Sequence, residues 1–403
     1  DFSAQLEAQS GDLSGDFTLS LDSSFNNGGV NPTLNVNASA LDAANENFVL
    51  NSNETVNVTL NVTGGSNADT FNMGFNLSSA DVINGGLNDN TIDSGDTLSI
   101  MQLGALSKFL DVNFSGVSNV ECLVLDSTFE GEVVLGTKAF EAGFTKIDAS
   151  AVTGNFTIDA SGFGGPLTII DSTNPGSNST ITGTAFADTI VAGGGDDDID
   201  GGIGADVLQI ENGDLDGNDT LDGVETVTLM NQTGPSAGIN ATVNLDNVTG
   251  LTTVDMEGTG DRIPGSDNDA HAVTFVGGNV GTVTEITVDT MAVTDAGDRM
   301  TVTIDGDGAP GGVADVDPDY AFTILGGAGV DILVKNNAGS NNNIEWNGGA
   351  GDDEVSIFAG DLGASTTING GDDHDVLTQM NNGGAFNDDD FSNVTFMEEI
   401  EAE

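Results

Sequence analysis

The sequence predicts an all-β protein built as a parallel β-solenoid, and three observations carry that prediction. Residues 183–209 read GTAFADTIV-AGGGDDDID-GGIGADVLQ, three rows of nine residues that align column by column. Glycine-rich turns begin at Gly326, Gly348 and Gly370, at a constant interval of 22 residues. Apolar and polar residues alternate in short bursts, as in residues 56–62. A fixed period of about twenty residues indicates stacked coils, and period-two alternation indicates half-buried strands.

The nine-residue rows have a direct physical interpretation. Their sixth column is Asp188, Asp197 and Asp206, and their eighth column is apolar in every row. Six small or acidic residues form a tight turn, because glycine reaches positive φ cheaply and a short carboxylate folds into the bend. The next three residues form a short strand with one inward side chain. Stacked turns bring carboxylates together, so they need a cation, and calcium accepts about 6–8 oxygen ligands. A flexible linker is the alternative.

The three rows resemble the nonapeptide G-G-x-G-x-D-x-U-x of the RTX family, the last two rows closely and the first in part. This resemblance implies a calcium-loaded β-roll, with Asp188, Asp197 and Asp206 as metal ligands. It also implies a secreted chain that is exported unfolded at low calcium and folds outside the cell.

Further turns of the same kind extend the predicted calcium ligands along the chain. Degenerate copies near residues 64–72, 94–99 and 217–221 add Asp69, Asp96 and Asp219. The three turns at the 22-residue interval predict a column of Asp331, Asp353 and Asp375, with Leu333, Val355 and Leu377 in the core beneath it. In the last of these turns, Asp373 replaces the glycine of the fourth column, which puts the geometry of that turn in question.

Composition and motif spacing divide the chain into five predicted segments. Residues 1–105 are β-rich with degenerate calcium turns, and a β-sandwich-like arrangement is an alternative there. Residues 106–180 are solenoid-like, with one helical turn expected in GTKAFEAG. Residues 181–222 are the nonapeptide block, residues 223–312 are β-rich, and residues 313–403 contain the 22-residue repeats and the start of another repeat.

A second motif, Val-Glu followed by alternating apolar residues, recurs after acidic turns. It occurs in residues 117–125 and 221–229, and in weaker form in residues 248–256 and 394–400. Segments of bacterial RTX-type surface-layer proteins and large adhesins are similar. We interpret Glu121 and Glu225 as solvated residues at the start of a strand, with calcium ligation as the alternative.

The charge of the chain excludes several classes of partner. With 65 acidic and 6 basic residues, the net charge of −59 excludes a nucleic-acid binder and argues against an anionic membrane surface. Salt adaptation is a second explanation of the acidity. No apolar run reaches the ~20 residues of a membrane span. The single cysteine, Cys122, is expected to be buried and inert. A start at Asp1 favours a processed product or a piece of a longer chain.

Catalytic motifs are missing from the sequence. The two histidines, His271 and His374, form no H-E-x-x-H pair, and there is neither a G-x-S-x-G elbow nor a phosphate-binding loop. Carboxylates are too frequent for counting to exclude a glycosidase, although scarce aromatic residues argue against a sugar-binding cleft. We predict no enzymatic activity.

Together these features predict an extracellular, calcium-dependent structural protein at the cell surface. It is expected to self-assemble into a homo-oligomeric surface layer or filament, with calcium gating both folding and assembly. One alternative is an adhesin module that recognises a surface or a cell-surface polysaccharide through loops near residues 235–320. Another is the RTX tail of a secreted enzyme whose catalytic part lies elsewhere.

Overall fold

A computed structural model of the chain separates into two compact units, Asp1–Gly204 and Ala205–Glu403. The five predicted segments are finer than this division and stay a prediction. The structure describes residues 5–7, 16–21, 33–41, 47–52, 58–74, 77–87, 95–101, 108–210, 218–230, 240–244, 248–256, 270–276, 285–290, 299–304, 321–335, 343–363, 365–380 and 385–402.

The first unit consists of short strands and one short helix, α1 (Thr137–Ala142), which is the predicted helical turn. The strands are β1 (Gln5–Glu7), β2 (Phe17–Ser20), β3 (Thr33–Asn37), β4 (Phe48–Asn51), β5 (Thr59–Thr63), β6 (Thr70–Gly74), β7 (Val82–Asn84), β8 (Thr97–Ile100), β9 (Lys108–Phe109), β10 (Val117–Ser118), β11 (Cys122–Leu125), β12 (Gly131–Val134), β13 (Lys146–Asp148), β14 (Phe156–Asp159), β15 (Thr168–Ile170), β16 (Ser179–Thr182), β17 (Thr189–Val191) and β18 (Asp198–Asp200). A 3₁₀ turn covers Asp111–Phe114.

Strands that follow one another along the chain alternate between sheets. In the first unit one sheet has the order β2-β4-β6-β8-β11-β13-β15-β17, and the facing strands have the orders β1-β3-β5-β7-β10 and β9-β12-β14-β16-β18. The pairs are parallel, as between β8 and β11 and between β14 and β16. Parallel neighbours reached through the other sheet define a β-solenoid, as predicted.

The second unit has the same construction. Its strands are β19 (Val207–Ile210), β20 (Thr220–Asp222), β21 (Thr226–Leu229), β22 (Asn240–Asn244), β23 (Thr253–Met256), β24 (Ala270–Val276), β25 (Glu285–Asp289), β26 (Arg299–Ile304), β27 (Ala321–Leu325), β28 (Val330–Lys335), β29 (Asn343–Ala350), β30 (Glu354–Phe358), β31 (Thr366–Asp372), β32 (Val376–Met380), β33 (Val394–Thr395) and β34 (Glu399–Ala402). Strands β19-β21-β23-β25-β27-β29-β31-β33 form one sheet and β22-β24-β26-β28-β30-β32-β34 the other. Two 3₁₀ turns cover Ala359–Asp361 and Asp388–Asn393.

The core of each unit is a set of columns of inward apolar side chains, one residue from each coil. In the second unit, Leu333, Val355 and Leu377 stand in register and are fully buried. The predicted arrangement of the 22-residue repeats is therefore confirmed. Each inward side chain is flanked by outward polar ones, which explains the period-two alternation of the sequence.

The described strands within residues 1–105 do not form the β-sandwich-like arrangement that was the alternative prediction. β1 pairs with β3, and β3 pairs with β5, both in parallel. A sandwich built from hairpins would pair sequential strands antiparallel. The sequence could not separate these arrangements, because both produce the same alternation of apolar and polar residues. Among the described residues, no helix is long and apolar enough to cross a bilayer.

Candidate calcium sites

The nine predicted aspartates are buried, each at the start of a strand. Their exposed fractions do not exceed 4 %, although aspartate is among the residues least often buried. This placement holds in both units and in both the regular and the degenerate turns. The residues concerned are Asp69, Asp96, Asp188, Asp197, Asp206, Asp219, Asp331, Asp353 and Asp375.

In the second unit the aspartates of the 22-residue repeats form a ladder that joins successive coils. The backbone N–H of Asp331 donates to Oδ1 of Asp353 at 2.8 Å. The backbone N–H of Asp353 donates to Oδ1 of Asp375 at 2.9 Å. The predicted column is thus confirmed. We call a run of carboxylates bonded in this way an acidic ladder.

The first unit contains a second acidic ladder, assembled from degenerate turns. The backbone N–H of Phe48 donates to Oδ1 of Asp69, and the N–H of Asp69 donates to Oδ1 of Asp96, both at 2.7 Å. The two aspartates are 27 residues apart. Their irregular spacing concealed this link at the sequence level.

The nonapeptide block differs from its predicted arrangement in one respect. Asp188 precedes β17 and accepts the N–H of Leu167, whereas Asp197 precedes β18 on the opposite sheet and accepts the N–H of Ser179, each at 2.7 Å. Nine residues make only half a coil, so consecutive nonapeptides alternate between sheets. Asp188 and Asp197 therefore do not stack in one column. In the second unit, Asp206 precedes β19 and Asp219 precedes β20.

In the two acidic ladders, the second carboxylate oxygen of the aspartates lies inside the glycine turn. Oδ2 of Asp331 accepts the N–H of Gly327 at 2.7 Å, and Oδ2 of Asp69 accepts the N–H of Gly65 at 2.5 Å. By contrast, Oδ2 of Asp96, Asp353 and Asp375 is buried and has no hydrogen-bond donor within the described ranges. Because a buried carboxylate oxygen without a donor is unfavourable, a bound cation would stabilise these three oxygens.

Each of these three oxygens shares a small cradle with a backbone carbonyl oxygen from the next coil. A Cβ on Gly348 would overlap both Asp353 Oδ2 and the carbonyl oxygen of Gly370. A Cβ on Gly370 would overlap Asp375 Oδ2 and the carbonyl oxygen of Phe396. Only glycine fits such a cradle. Two acceptor oxygens that face each other without a proton between them are stabilised by a cation.

The chemistry of these cradles fits calcium. No three acidic, histidine or cysteine side chains converge on one point in the described part of the chain. The oxygen atoms available as metal ligands are instead those of one carboxylate and of backbone carbonyls, and calcium binds both types of oxygen. These turns contain no sulfur ligand, and their one imidazole, that of His374, is exposed.

Burial makes these carboxylates difficult to ionise while no metal is bound. It raises the pKa of Asp96 and Asp353 to about 7, and that of Asp69 and Asp331 to about 6, from the ordinary 3.8. Hydrogen bonds from backbone N–H groups oppose this increase in pKa, and neighbouring carboxylates add to it at Asp96 and Asp353. In the metal-free fold these side chains therefore stay protonated to a higher pH than ordinary aspartates do.

We expect the metal-free protein to lose stability as the pH rises from about 4 to about 7. The folded-state pKa values lie above those of unfolded aspartate, so the folded state holds more protons across this interval. The stabilisation is complete below about pH 4 and is lost as the pH passes the raised values. Urea denaturation in EDTA at several pH values tests this, with about 0.5 M NaCl present to screen the general charge repulsion. Stability that increases with pH over this interval would contradict the expectation.

The comparison with protein families agrees with this geometry. Residues 176–208 match the family model described as RTX calcium-binding nonapeptide repeat (4 copies). The chain therefore contains RTX-type calcium-binding repeats. RTX repeats bind calcium and are typical of secreted proteins. No curated protein and no solved structure matches the chain significantly.

The RTX match includes Asp188, Asp197 and Asp206 and leaves six predicted aspartates outside it. Three of those six, Asp96, Asp353 and Asp375, have the buried Oδ2 atoms without a donor. Buried aspartates of this kind thus also occur outside the nonapeptides that the family model matches. That these nine aspartates bind calcium directly stays a prediction.

The interpretation of Glu121 and Glu225 as solvated residues is wrong. Both are half-buried, and each accepts a backbone N–H at 2.8 Å, from Asp96 and from Asp206 respectively. No sequence signal distinguishes a glutamate that is solvated at the start of a strand from one that accepts a backbone N–H of the preceding coil. Sequence reasoning also missed Asp81, whose Oδ1 accepts the N–H of Leu60 at 2.8 Å outside any nonapeptide.

Of the other residues considered for catalysis, the structure describes the side chains of Cys122 and His374, which show no catalytic arrangement, whereas the side chain of His271 lies outside the described part. Cys122 is half-buried and not fully buried as predicted, and burial raises the pKa of its thiol to about 11, which favours the inert thiol form. The exposed His374 imidazole lies 3.7 Å from Glu399 Oε2. Asp373 adopts φ 85°, so it reproduces the left-handed turn of the glycine it replaces. The absence of enzymatic activity stays a prediction.

Proposed function

We propose that the chain is an extracellular structural protein that folds when calcium binds and then self-assembles at the cell surface, without catalytic activity. One observation carries this proposal: three buried Oδ2 atoms in the acidic ladders, those of Asp96, Asp353 and Asp375, lie beside carbonyl oxygens and have no donor among the described residues. Because ladders of this kind occur in both units, the requirement for a cation extends well beyond the nonapeptide block.

The energy of metal binding supports calcium-gated folding. In the metal-free chain, buried carboxylates crowd one another and the net charge of −59 favours expansion. Each calcium ion that binds only the folded form stabilises it by about 4 kcal/mol at a thousandfold excess over Kd. Several such ions together exceed the roughly 5–15 kcal/mol of a typical domain. Metal binding and folding are then one event.

The surface charge supports a role for calcium in assembly. Asp198, Asp372 and Asp389 are examples of exposed carboxylates on the described surface. Acidic surfaces of separate copies repel each other at low calcium, and a divalent ion bridges them. A surface layer or a filament is the product that we propose.

A calcium titration of protein stripped with EDTA tests the proposal, with far-UV circular dichroism and light scattering recorded together. We expect a coil spectrum that changes to β as calcium is added, followed by increased scattering. Magnesium at equal ionic strength is the control, because it screens charge but dehydrates reluctantly. A β spectrum without scattering would support the monomeric adhesin module instead. A complete β spectrum in EDTA would contradict calcium-gated folding.

A further inference from the structure

Three coils contain the same three-residue element, which we call the closing triplet. Its first residue is left-handed, its second is apolar and its third is glutamate. The copies are Asn119-Val120-Glu121, Gly223-Val224-Glu225 and Phe396-Met397-Glu398. The first residues have φ values of 53°, 61° and 55°.

The glutamate of each closing triplet takes the place that aspartate has on earlier coils of a ladder. Oε2 of Glu121, Glu225 and Glu398 accepts the backbone N–H of Asp96, Asp206 and Asp375, at 2.8, 2.8 and 2.9 Å. The triplet replaces the longer glycine turn, so a longer side chain is needed to reach the preceding coil.

The acidic ladder ends at the triplet. On the next coil, the N–H groups of Thr145 and Thr252 donate to the backbone carbonyls of Glu121 and Glu225, at 2.8 and 3.0 Å, so that coil supplies no carboxylate at this position. Each glutamate is thus the last carboxylate of its ladder, and after Glu121 a carboxylate returns to the column only at Asp188.

The left-handed residue of the triplet directs its carbonyl oxygen at the last aspartate of the ladder. A Cβ on Gly85 would overlap both the Asn119 carbonyl oxygen and Asp96 Oδ2. At Gly370 the same overlap involves the Phe396 carbonyl oxygen and Asp375 Oδ2. A left-handed conformation is unfavourable for a non-glycine residue and is unusual for a bulky side chain such as phenylalanine. The recurrence of this conformation places the carbonyl in the cradle each time.

At the end of each of two ladders, one buried carboxylate oxygen lacks a hydrogen-bond donor among the described residues. Asp96 and Asp375 are fully buried, and their Oδ2 atoms have no hydrogen-bond donor within the described residues. Each Oδ2 faces a carbonyl oxygen, and the carboxylate of Glu121 or Glu398 adds a second negative charge beside it. A buried carboxylate oxygen, a backbone carbonyl oxygen and a second carboxylate together form a site for a hard cation.

We propose that the closing triplet completes a terminal calcium site at the end of each ladder. The ligands are the carboxylate of Asp96 or Asp375, the carbonyl oxygen of Asn119 or Phe396, and the carboxylate of Glu121 or Glu398. This inference rests on the proposed calcium binding, and it assigns metal sites outside the nonapeptides to a different sequence element.

Equilibrium dialysis of the full chain against calcium, with bound ions counted per chain, tests the proposal. The variant is the double substitution Glu121→Gln and Glu398→Gln, in which the amide oxygen can still accept the aspartate N–H. We expect two fewer bound ions, or two sites weakened at least tenfold, with an unchanged urea midpoint in EDTA. The matched control is Glu130→Gln with Glu345→Gln, since both glutamates are exposed and the charge change is equal.

Substitutions at Asn119 test the carbonyl ligand independently, in case the double variant does not fold. Asn119→Gly keeps the carbonyl and the left-handed backbone, so the ion count should be unchanged. Asn119→Val disfavours that backbone and should weaken one site at least tenfold. An unchanged ion count and affinity in the double variant, or equal affinity of the two Asn119 variants, would overturn the proposal. If the native chain binds no calcium, the proposed function itself fails.

Discussion

Replacing Asp353 with asparagine is expected to stabilise the metal-free protein and, at the same time, to remove one bound calcium ion. The amide oxygen of asparagine would still accept the N–H of Asp331, as Oδ1 does at 2.8 Å. Its NH₂ group would occupy the Oδ2 position and donate to the Gly370 carbonyl oxygen in the shared cradle. A buried acceptor without a partner would thereby become a hydrogen bond, worth about 1–3 kcal/mol.

The two effects of this substitution are opposite in sign, which makes the experiment decisive. Urea denaturation in EDTA should show higher stability for Asp353→Asn, and calcium dialysis should show one ion fewer. The control is Asp389→Asn, which removes the same charge from an exposed position. Lower metal-free stability together with an unchanged ion count would show that Asp353 serves only as a hydrogen-bond acceptor.

Replacing Lys335 with methionine is expected to lower the free energy of unfolding by about 3–5 kcal/mol. The Lys335 ammonium lies 3.1 Å from Asp361 Oδ1, and both side chains are only 1 % exposed. Lys335 is paired in register with Ile304, so its side chain enters an apolar column. Removal of the ammonium would leave the Asp361 carboxylate buried without the positive charge of Lys335.

Urea denaturation at saturating calcium measures this loss of stability. The double variant Lys335→Met with Asp361→Leu should recover most of it, because replacing both partners leaves no buried charge. Lys138→Met is the control, since the Lys138–Glu141 pair is exposed and a surface ion pair contributes little to stability. A loss for Lys335→Met no greater than for Lys138→Met would show that the buried pair does not stabilise the fold.

Local sequence patterns were sufficient to predict the coils. The 22-residue interval places Leu333, Val355 and Leu377 in one column, because each repeat supplies the same number of residues to a coil. The sixth position of each turn identifies the buried aspartates, since a carboxylate one residue before a strand faces the neighbouring turn. These features depend on residues that are close together in the chain.

By itself, then, the sequence determined the parallel solenoid, the glycine turns and the aspartates that line them. Only the tertiary structure decided which turns meet. It placed Asp188 and Asp197 on opposite sheets, joined Asp69 to Asp96 despite their irregular spacing, and paired Lys335 with Asp361. It also showed that Glu121 and Glu398 end ladders that begin on earlier coils. The physical reason is that coil length varies along the chain, so partners in space are separated by intervals that no local pattern encodes.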